Sequence, residues 1–376
     1  MKKNILIIDD SALMRRLMSD IINEDERFIV CDTACDGLEA LQKITESPVK
    51  FDVVLLDINM PKMNGIEFLA ELNKMIGKPR VIVVSSIAKE GTAQTIRLLE
   101  QGAFDFVTKP VGLFSDYESI FANKLLNCIA CATGLQKAGL NSIKQKADEL
   151  QTTETNYFTP GNSFLDSGKS TRVRSLHKTV PATANKLVAI ASSTGGPKAL
   201  QQVIPFLPKN LNAPVLIVQH MPSGFTKSFA GRLNEMSEIA VKEAEEGDVL
   251  EKGKVYIAKG GAQMRIRNKG GSHVIELNEE EPARGGLKPC ADIMYESLLE
   301  CDFDDITCVV LTGMGGDGTS GIKQLNEKHN LYVIGQDEAT CTVYGMPRVL
   351  YEAGLTDTVV PLDKVADKIT TNVGVR

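Results

Sequence analysis

The sequence has no excess of basic residues and no long hydrophobic run. Its 42 Lys and Arg residues stand against 48 Asp and Glu residues, which gives a formal charge of −6. This balance argues against a nucleic-acid-binding protein, whose affinity would rest on clustered cations. No apolar run approaches the length of a membrane span, and the apolar run in "MKKNILIIDD" is too short for a signal peptide. We therefore expect a cytoplasmic protein that does not insert into a membrane.

Clustered cysteines are also scarce. Eight cysteines are scattered along the chain, and the one close pair, Cys128 and Cys131 in "NCIAC", has no second pair that would complete a zinc site. We interpret these two residues as small buried hydrophobic side chains. The chain has only four histidines, which narrows the choice of a general base.

The length of 376 residues is too great for one ordinary domain. The first part alternates strand-like runs such as "VVLLD" with helical patterns such as "GIEFLAELNKM", which is typical of a parallel α/β sheet. A stretch rich in Thr, Ser, Asn, Gly and Lys follows, and strand-like runs then resume with "LVAIAS". We predict domains at 1–135 and 186–376, joined by a flexible linker at 136–185, and we find no internal repeat.

Polar residues follow several strands of the first domain. Asp9 and Asp10 come after the first strand, and Asp57 ends "VVLLD". The carboxyl ends of parallel strands meet at one edge, where three carboxylates repel one another unless a cation such as Mg²⁺ lies among them. Ser85 and Lys109 follow two further strands and bring a hydroxyl and an ammonium group to the same edge. Each residue alone could be a cap or turn residue, but the whole set can accept a phosphoryl group on Asp57.

The segments "IIDDS", "LLDINMPKMNG", "VVSS" and "VTKP" carry a family resemblance. Over roughly residues 3–125 the chain resembles the receiver domain of bacterial response regulators. The resemblance implies a flavodoxin-like (βα)5 fold and phosphorylation of Asp57 by a partner histidine kinase. It also implies that Asp9 and Asp10 help to hold the Mg²⁺ ion. By the same resemblance, Ser85 would be the switch hydroxyl and Lys109 would contact the phosphoryl group.

In the second domain, the stretch "LVAIASSTGGPKAL" places an apolar run directly before hydroxyls and glycines. It lacks both G-x-x-x-x-G-K-[ST] and G-x-G-x-x-G, so it is neither a P-loop nor a dinucleotide fingerprint. It is close to a nucleophile elbow, with Ala191 in place of the first glycine and Ser193 as the exposed nucleophile. The alternative is that Ser192, Ser193 or Thr194 only caps the next helix, and this stretch alone leaves both open.

A general base for Ser193, and an aspartate that orients this base, are expected among the residues that follow other strands. Of the four histidines, only His220 ends a strongly apolar strand, "APVLIVQHM", and so reaches the edge expected for Ser193. Asp317 lies in the glycine-rich loop of "TCVVLTGMGGDGTSG", and Asp337 in "VIGQDEAT" is a competitor. We favour Asp317 because its glycines permit the close approach that a buried Asp–His hydrogen bond needs.

Further segments, "IVQHMPSGFTKSFAGRLN", "VYIAKGG", "LTGMGGDGTSGI" and "DEATCTVYGMPR", support a second resemblance. The second domain resembles the catalytic domain of bacterial chemotaxis protein-glutamate methylesterases. This implies a doubly wound, mostly parallel α/β domain that needs no cofactor, with Ser193 as nucleophile, His220 as general base and Asp317 as its orienting partner. The chain departs from that family at Ala191 and Ser192, where Gly and Ala are common.

The two resemblances together predict a phosphorylation-regulated enzyme. It would hydrolyse glutamate γ-methyl esters on methyl-accepting chemoreceptors and release methanol, with a chemotaxis histidine kinase as phosphodonor; relatives also deamidate receptor glutamines. Backbone N–H groups near Thr194 or Met314 are candidate oxyanion donors. We also expect the unphosphorylated first domain to pack over the Ser193 edge. Two alternatives remain: a non-enzymatic response regulator whose output domain binds a partner, and an acyl hydrolase that acts outside chemotaxis.

Overall fold

The computed structural model describes residues 2–47, 50–86, 89–110, 115–135 and 177–376. Most of the predicted linker, 136–176, lies outside the described residues. The described chain forms two parallel sheets flanked by helices and one antiparallel hairpin. None of its helices is both long and apolar enough to cross a membrane.

The first sheet is parallel throughout. Its strands are β1 (Lys3–Ile8), β2 (Phe28–Ala34), β3 (Val53–Asp57), β4 (Arg80–Ser85) and β5 (Asp105–Thr108). The helices of this part are α1 (Ala12–Asn23), α2 (Gly37–Glu46), α3 (Gly65–Leu72), α4 (Lys89–Glu100) and α5 (Ser115–Thr133). The strand order β2-β1-β3-β4-β5 is flavodoxin-like and confirms the predicted (βα)5 fold. Because the order reverses between β1 and β3, residues after these two strands meet in one crevice.

The second part contains the larger sheet. Its strands are β6 (Lys186–Ser192), β7 (Val215–Gln219), β8 (Ala240–Glu243), β9 (Lys254–Ile257), β10 (Gln263–Lys269), β11 (Ser272–Asn278), β12 (Asp305–Val310), β13 (Leu331–Gln336) and β14 (Thr358–Val360). Its helices are α6 (Gly196–Gln201), α7 (Phe225–Met236), α8 (Ala291–Ser297), α9 (Thr319–Lys328), α10 (Met346–Glu352) and α11 (Val365–Val373).

The topology of the larger sheet brings three strand ends together. Its order is β14-β13-β12-β6-β7-β9-β8 with parallel neighbours, while β10 and β11 form the separate hairpin. The central strand β6 has β7 on one side and β12 on the other, so the chain order reverses at β6. Ligand sites in such sheets lie outside the carboxyl ends of the strands at this reversal. The predicted doubly wound, mostly parallel fold is confirmed.

Strand β6 illustrates why the sheet is a rigid support. All of its residues are buried, and its central run 187–191 is apolar, as expected of a parallel strand covered on both faces. Val188 and Ile190 pack into the core on one face, and Leu187 and Ala189 pack into the core on the other. Full burial of each aliphatic side chain stabilises the fold by roughly 1.5–3 kcal/mol.

Residues 177–185, at the end of the predicted linker, lie against the second sheet. His177 Nε2 is 2.9 Å from Asp305 Oδ1 at the start of β12. The Asn185 N–H donates to Asp304 Oδ2 over 2.7 Å. These contacts join residues far apart in sequence, so the polar composition of this stretch gave no sign of them.

The first domain packs over the carboxyl edge of the second sheet through α4 and β5. Glu100 of α4 accepts hydrogen bonds from Arg232 Nε at 2.7 Å and from Gln201 Nε2 at 3.1 Å. The ring of Phe106 in β5 stacks on that of Phe225 with centroids 4.7 Å apart. The edge that carries the candidate catalytic residues is therefore partly covered.

Candidate active site

Ser193 follows the buried strand β6 at a tight turn. Its N–H donates to the carbonyl of Thr312 over 3.0 Å, which ties it to the end of β12. The turn itself is made at Gly195, whose φ of +76° would strain any residue with a side chain. Among the described residues only Lys62 is a non-glycine residue with positive φ, so the nucleophile candidate has an unstrained main chain.

His220 and Asp317 form a direct hydrogen bond. His220 follows β7, Asp317 lies in the loop between β12 and α9, and His220 Nε2 is 2.7 Å from Asp317 Oδ2. Their side chains are only 9% and 6% exposed. Asp337, the competing candidate, instead accepts hydrogen bonds from the N–H and hydroxyl of Thr340. The structure thus pairs the imidazole with the favoured aspartate.

Asp317 is held by the start of α8. Its carboxylate accepts the N–H groups of Ala291 at 2.6 Å and Asp292 at 3.0 Å, and Cys290 Sγ is 3.1 Å from Oδ1. Burial acts to raise the pKa of Asp317, but the hydrogen bond and charge of His220 and the two N–H groups prevail and lower it to about 2. Burial and the charge of Asp317 raise the pKa of Cys290 to about 12, so its thiol stays protonated as a donor.

Ser193 and His220 line the same cavity, which has a volume of about 220 Å³. The N–H of His220 donates to the carbonyl of Ser192 over 3.1 Å, so the two residues are carried by adjacent main-chain segments. Both residues are described by the structure, and the Ser193 hydroxyl does not form a hydrogen bond with the His220 imidazole in it. Such bonds are often long before substrate binds. Because Nε2 faces Asp317, Nδ1 is the ring nitrogen that could receive the Ser193 proton.

The two candidate oxyanion residues, Thr194 and Met314, line this cavity beside Ser193. The loop with Met314 approaches Ser193 closely because Gly313 has no side chain. A Cβ at position 313 would lie 2.8 Å from the Cβ of Ser193. In the part of the chain that the structure describes, neither Thr194 nor Met314 donates its N–H to a protein acceptor. Their role as oxyanion donors stays a prediction.

The first domain supplies one wall of the cavity. Asp105 of β5 and Lys124 of α5 line it together with Ser193. Burial raises the pKa of Asp105 to about 6, although a hydrogen bond from the Thr194 side chain acts to lower it. Cys131 Sγ is 3.3 Å from Met314 Sδ, so α5 touches the loop of the oxyanion candidate.

The residues of the predicted phosphorylation site lie together at the crevice of the first sheet. Lys109 Nζ is 2.8 Å from Asp9 Oδ2 and 2.9 Å from Asp57 Oδ1. One oxygen each of Asp9, Asp10 and Asp57 lies within 4.8 Å of the others. Oxygen ligands at this spacing fit one Mg²⁺ ion, and the exposed Asp10 leaves room for its waters. Burial raises the pKa of Asp57, and Lys109 opposes that effect in part.

Ser85, the switch candidate, points toward α4. Its buried hydroxyl accepts a hydrogen bond from Thr95 Oγ1 at 2.8 Å and lies 3.4 Å from the carbonyl of Gly91. In the described part of the chain, Ser85 and Asp57 do not form a hydrogen bond with each other. Because α4 also carries Glu100, a change at Ser85 can reach the contact with the second domain.

Sequence reasoning missed several residues of the site. Asp292 and Cys290 had no local signature, because each acts on Asp317 across 25 or more positions. Asp105 could have been noticed, since it is a charged residue within the apolar run "FDFVTKP". The interpretation of Cys128 and Cys131 as small buried side chains holds, because both lie in the hydrophobic core of the first domain.

Comparison with known families agrees with this arrangement. Residues 5–115 match the family model of the response regulator receiver domain, and residues 188–369 match that of CheB methylesterase. Fold and sites thus define a class of protein, a response regulator with a methylesterase output domain.

Full-length relatives define the family more closely. A protein-glutamate methylesterase/protein-glutamine glutaminase of Bacillus subtilis (strain 168) is 41% identical over 371 residues, which cover 98% of each chain. One of Syntrophomonas wolfei is 38% identical over 372 residues, again 98% of each chain. The crystal structure of the Thermotoga maritima CheB methylesterase catalytic domain is 40% identical, with a TM-score of 0.48, and covers 50% of this chain and 99% of that one. The chain belongs to the protein-glutamate methylesterase/protein-glutamine glutaminase family.

Proposed function

We propose that this protein hydrolyses the γ-methyl esters of glutamate residues on the cytoplasmic helices of methyl-accepting chemoreceptors. The observation that carries the proposal is the His220–Asp317 hydrogen bond at the strand-end crevice that also holds Ser193. Relatives that are similar along nearly the full chain carry the name of this activity. The proposed substrate places the reaction in the cytoplasm.

In the first half of the reaction, Ser193 Oγ attacks the ester carbonyl while His220 Nδ1 takes its proton. The same nitrogen then gives the proton to the departing methoxide, which leaves as methanol, and an acyl-enzyme remains. Such proton transfer contributes typically about 10²–10⁴-fold. Asp317 holds Nε2–H and stabilises the imidazolium that forms. The N–H groups of Thr194 and Met314 stabilise the developing oxyanion.

In the second half, His220 takes a proton from water as the water attacks the acyl-enzyme, and returns it to Ser193. A free glutamate side chain is released. A receptor glutamine can follow the same course, except that ammonia leaves in place of methanol. Deamidation therefore needs no residue beyond those of the esterase reaction.

Activity is controlled by phosphorylation of Asp57 by a chemotaxis histidine kinase. Mg²⁺ held by Asp9, Asp10 and Asp57 would supply charge neutralisation for the incoming phosphoryl group. Lys109 already contacts Asp57 and is placed to bind a phosphoryl oxygen. The phosphoryl group adds about −1.5 to −2 charges. It draws the Ser85 hydroxyl away from Gly91, which loosens α4 against the second domain.

The test is methanol release from membranes that contain methylated receptor, with and without a small-molecule phosphodonor. We expect release that rises on addition of phosphodonor, and no release from a Ser193→Ala variant. Absence of methanol, together with intact receptor binding, would favour the rival proposal of a non-enzymatic output domain.

A further inference from the structure

Gln219, the last residue of β7, bridges the main chain of the two reacting residues. Its side chain is buried, and its Nε2 donates to the carbonyl of Ser193 at 3.0 Å and to that of His220 at 3.3 Å. A primary amide has two N–H donors, so each carbonyl can receive one of them. One side chain therefore connects the segment after β6 to the segment after β7.

The orientation of this amide is set by Ser192. The buried Ser192 hydroxyl donates to Gln219 Oε1 over 2.7 Å. If the amide were reversed, Oε1 would face two carbonyl oxygens and the NH₂ group would face the hydroxyl. Gly196 leaves space for the amide, since a Cβ at that position would lie 2.0 Å from Gln219 Oε1. The hydroxyl that is not the nucleophile candidate thus has a defined partner.

We propose that Gln219 is a positioning residue that holds Ser193 at the correct distance from His220, and that Ser192 acts through it. The inference rests on the proposed function, because it assumes that Ser193 and His220 react. The two residues follow different strands, so the distance from hydroxyl to imidazole depends on the relative position of two main-chain segments. Misplacement of reacting groups by about 1 Å can cost 10²-fold in rate.

The first test replaces Gln219 with methionine, which has a similar length but no hydrogen-bonding amide. In the full chain with saturating phosphodonor, we expect Gln219→Met to lower kcat about 10–100-fold, with KM within about 3-fold. Labelling of Ser193 by a fluorophosphonate probe should slow by a similar factor. A folded Gln219→Met enzyme with kcat within about 2-fold of the parent would overturn the inference.

Asn212→Leu is the matched control. Asn212 is also a buried amide in the second domain, and its Nδ2 faces the carbonyls of Ala182 at 2.8 Å and Val373 at 3.5 Å. It precedes β7, whereas Gln219 ends that strand. We expect this variant to lower the melting temperature as Gln219→Met does, but to keep kcat. An equal loss of kcat in both variants would mean that Gln219 acts only through stability.

A double-mutant cycle tests the part played by Ser192. Ser192→Ala should lower kcat about 3–10-fold in the parent chain and cause no further loss in Gln219→Met, because coupled residues are not additive. The same fold-loss in both backgrounds would refute the coupling. If Gln219→Met does not fold, Ser192→Ala carries the test alone, and an unchanged kcat overturns the inference.

Ser193→Ala separates this inference from the proposed function. Activity retained by Ser193→Ala would refute the proposed catalytic site itself. Loss of activity in Ser193→Ala, combined with parental rates in Gln219→Met and Ser192→Ala, would refute only the positioning role.

Discussion

At the scale of single side chains, Asp317 sets the tautomer and the orientation of the His220 imidazole. The carboxylate accepts the Nε2 proton of the imidazole and two backbone N–H groups, and its pKa of about 2 keeps it ionised. An asparagine of the same shape would have to offer an NH₂ group to at least one of these donors. The imidazole would then lose its tautomer and its orientation.

We expect Asp317→Asn to lower kcat by about 10⁴-fold with little change in KM. The measurement is steady-state methanol release by the phosphorylated full chain. Asp337→Asn is the control, because Asp337 contacts Thr340 and not His220. Loss of kcat in Asp337→Asn, with Asp317→Asn unaffected, would show that the wrong aspartate was chosen.

We predict that Asp105 makes the contact between the two domains dependent on pH. When the first domain packs on the second, as in this structure, the pKa of Asp105 is about 6, above the ordinary value of 3.8. We predict that the second domain supplies the burial that raises this pKa, so that proton binding favours packing of the two domains and this advantage is lost as the pH rises through about 6. The basal activity of the full chain, divided by that of a fragment of residues 177–376, should rise about 10-fold from about pH 5 to about pH 7.5.

Division by the activity of the fragment removes the effect of pH on the catalytic residues themselves. Asp105→Asn should make the ratio independent of pH, because the amide does not ionise. A ratio that is flat in the parent chain would contradict the proposed effect of Asp105.

Helices α8 and α9 stabilise each other through two aspartates. Asp317 accepts the N–H of Asp292 at the start of α8, and Asp292 Oδ1 accepts the N–H groups of Gly318 at 3.0 Å and Gly321 at 2.7 Å at the start of α9. The loop that carries Asp317 is therefore held from both sides. Neither aspartate could be paired with its helix from the sequence, because the partners lie 25–29 positions away.

We expect Asp292→Ala to lower the free energy of unfolding by about 1–2 kcal/mol, the usual cost of losing a helix cap or a buried hydrogen bond. It should also lower kcat, since Asp317 would shift. Urea unfolding and methanol release measure the two effects. Asp367→Ala, which removes an exposed acid from the first turn of α11, should change stability by less than about 0.5 kcal/mol.

At the scale of the whole molecule, the ion pair between Glu100 of α4 and Arg232 of α7 helps to hold the first domain over the sheet edge that carries the candidate catalytic residues. Both side chains are partly exposed, so the pair contributes only about 0.5–1 kcal/mol. Glu100→Arg should raise basal activity without phosphodonor about 2–5-fold, and Glu100→Arg with Arg232→Glu should restore the parental level. Glu71→Ala, which breaks an exposed pair with Lys74 inside the first domain, should leave basal activity unchanged.

The response to phosphodonor should depend on Asp57. We expect Asp57→Asn to keep the basal rate of methanol release and to lose its stimulation by the phosphodonor, because no phosphoryl group can be attached. Asp20→Asn, at an exposed pair with Arg16 on α1, should respond as the parent does. Full stimulation of Asp57→Asn would mean that phosphorylation acts elsewhere.

The sheets and the edge that carries the chemistry could be predicted from the sequence. Parallel strands that are buried on both faces read as continuous apolar runs, and the polar residue that follows each run must lie at the shared edge. That rule predicted the acidic cluster around Asp57 and, together with the nucleophile-elbow pattern and the small number of histidines, favoured Ser193 and His220. It could not rank Asp317 against Asp337, since both follow strands.

Contacts between distant segments were accessible only through the folded chain. The bridge made by Gln219 and the position of Asp105 beside Thr194 each join residues that no local pattern relates. Hydrophobic periodicity reports which face of an element is buried, but not which remote side chain it meets. The candidate residues at the strand ends could therefore be predicted from the sequence, whereas the remote side chains they contact and their cover by the first domain required the packed structure.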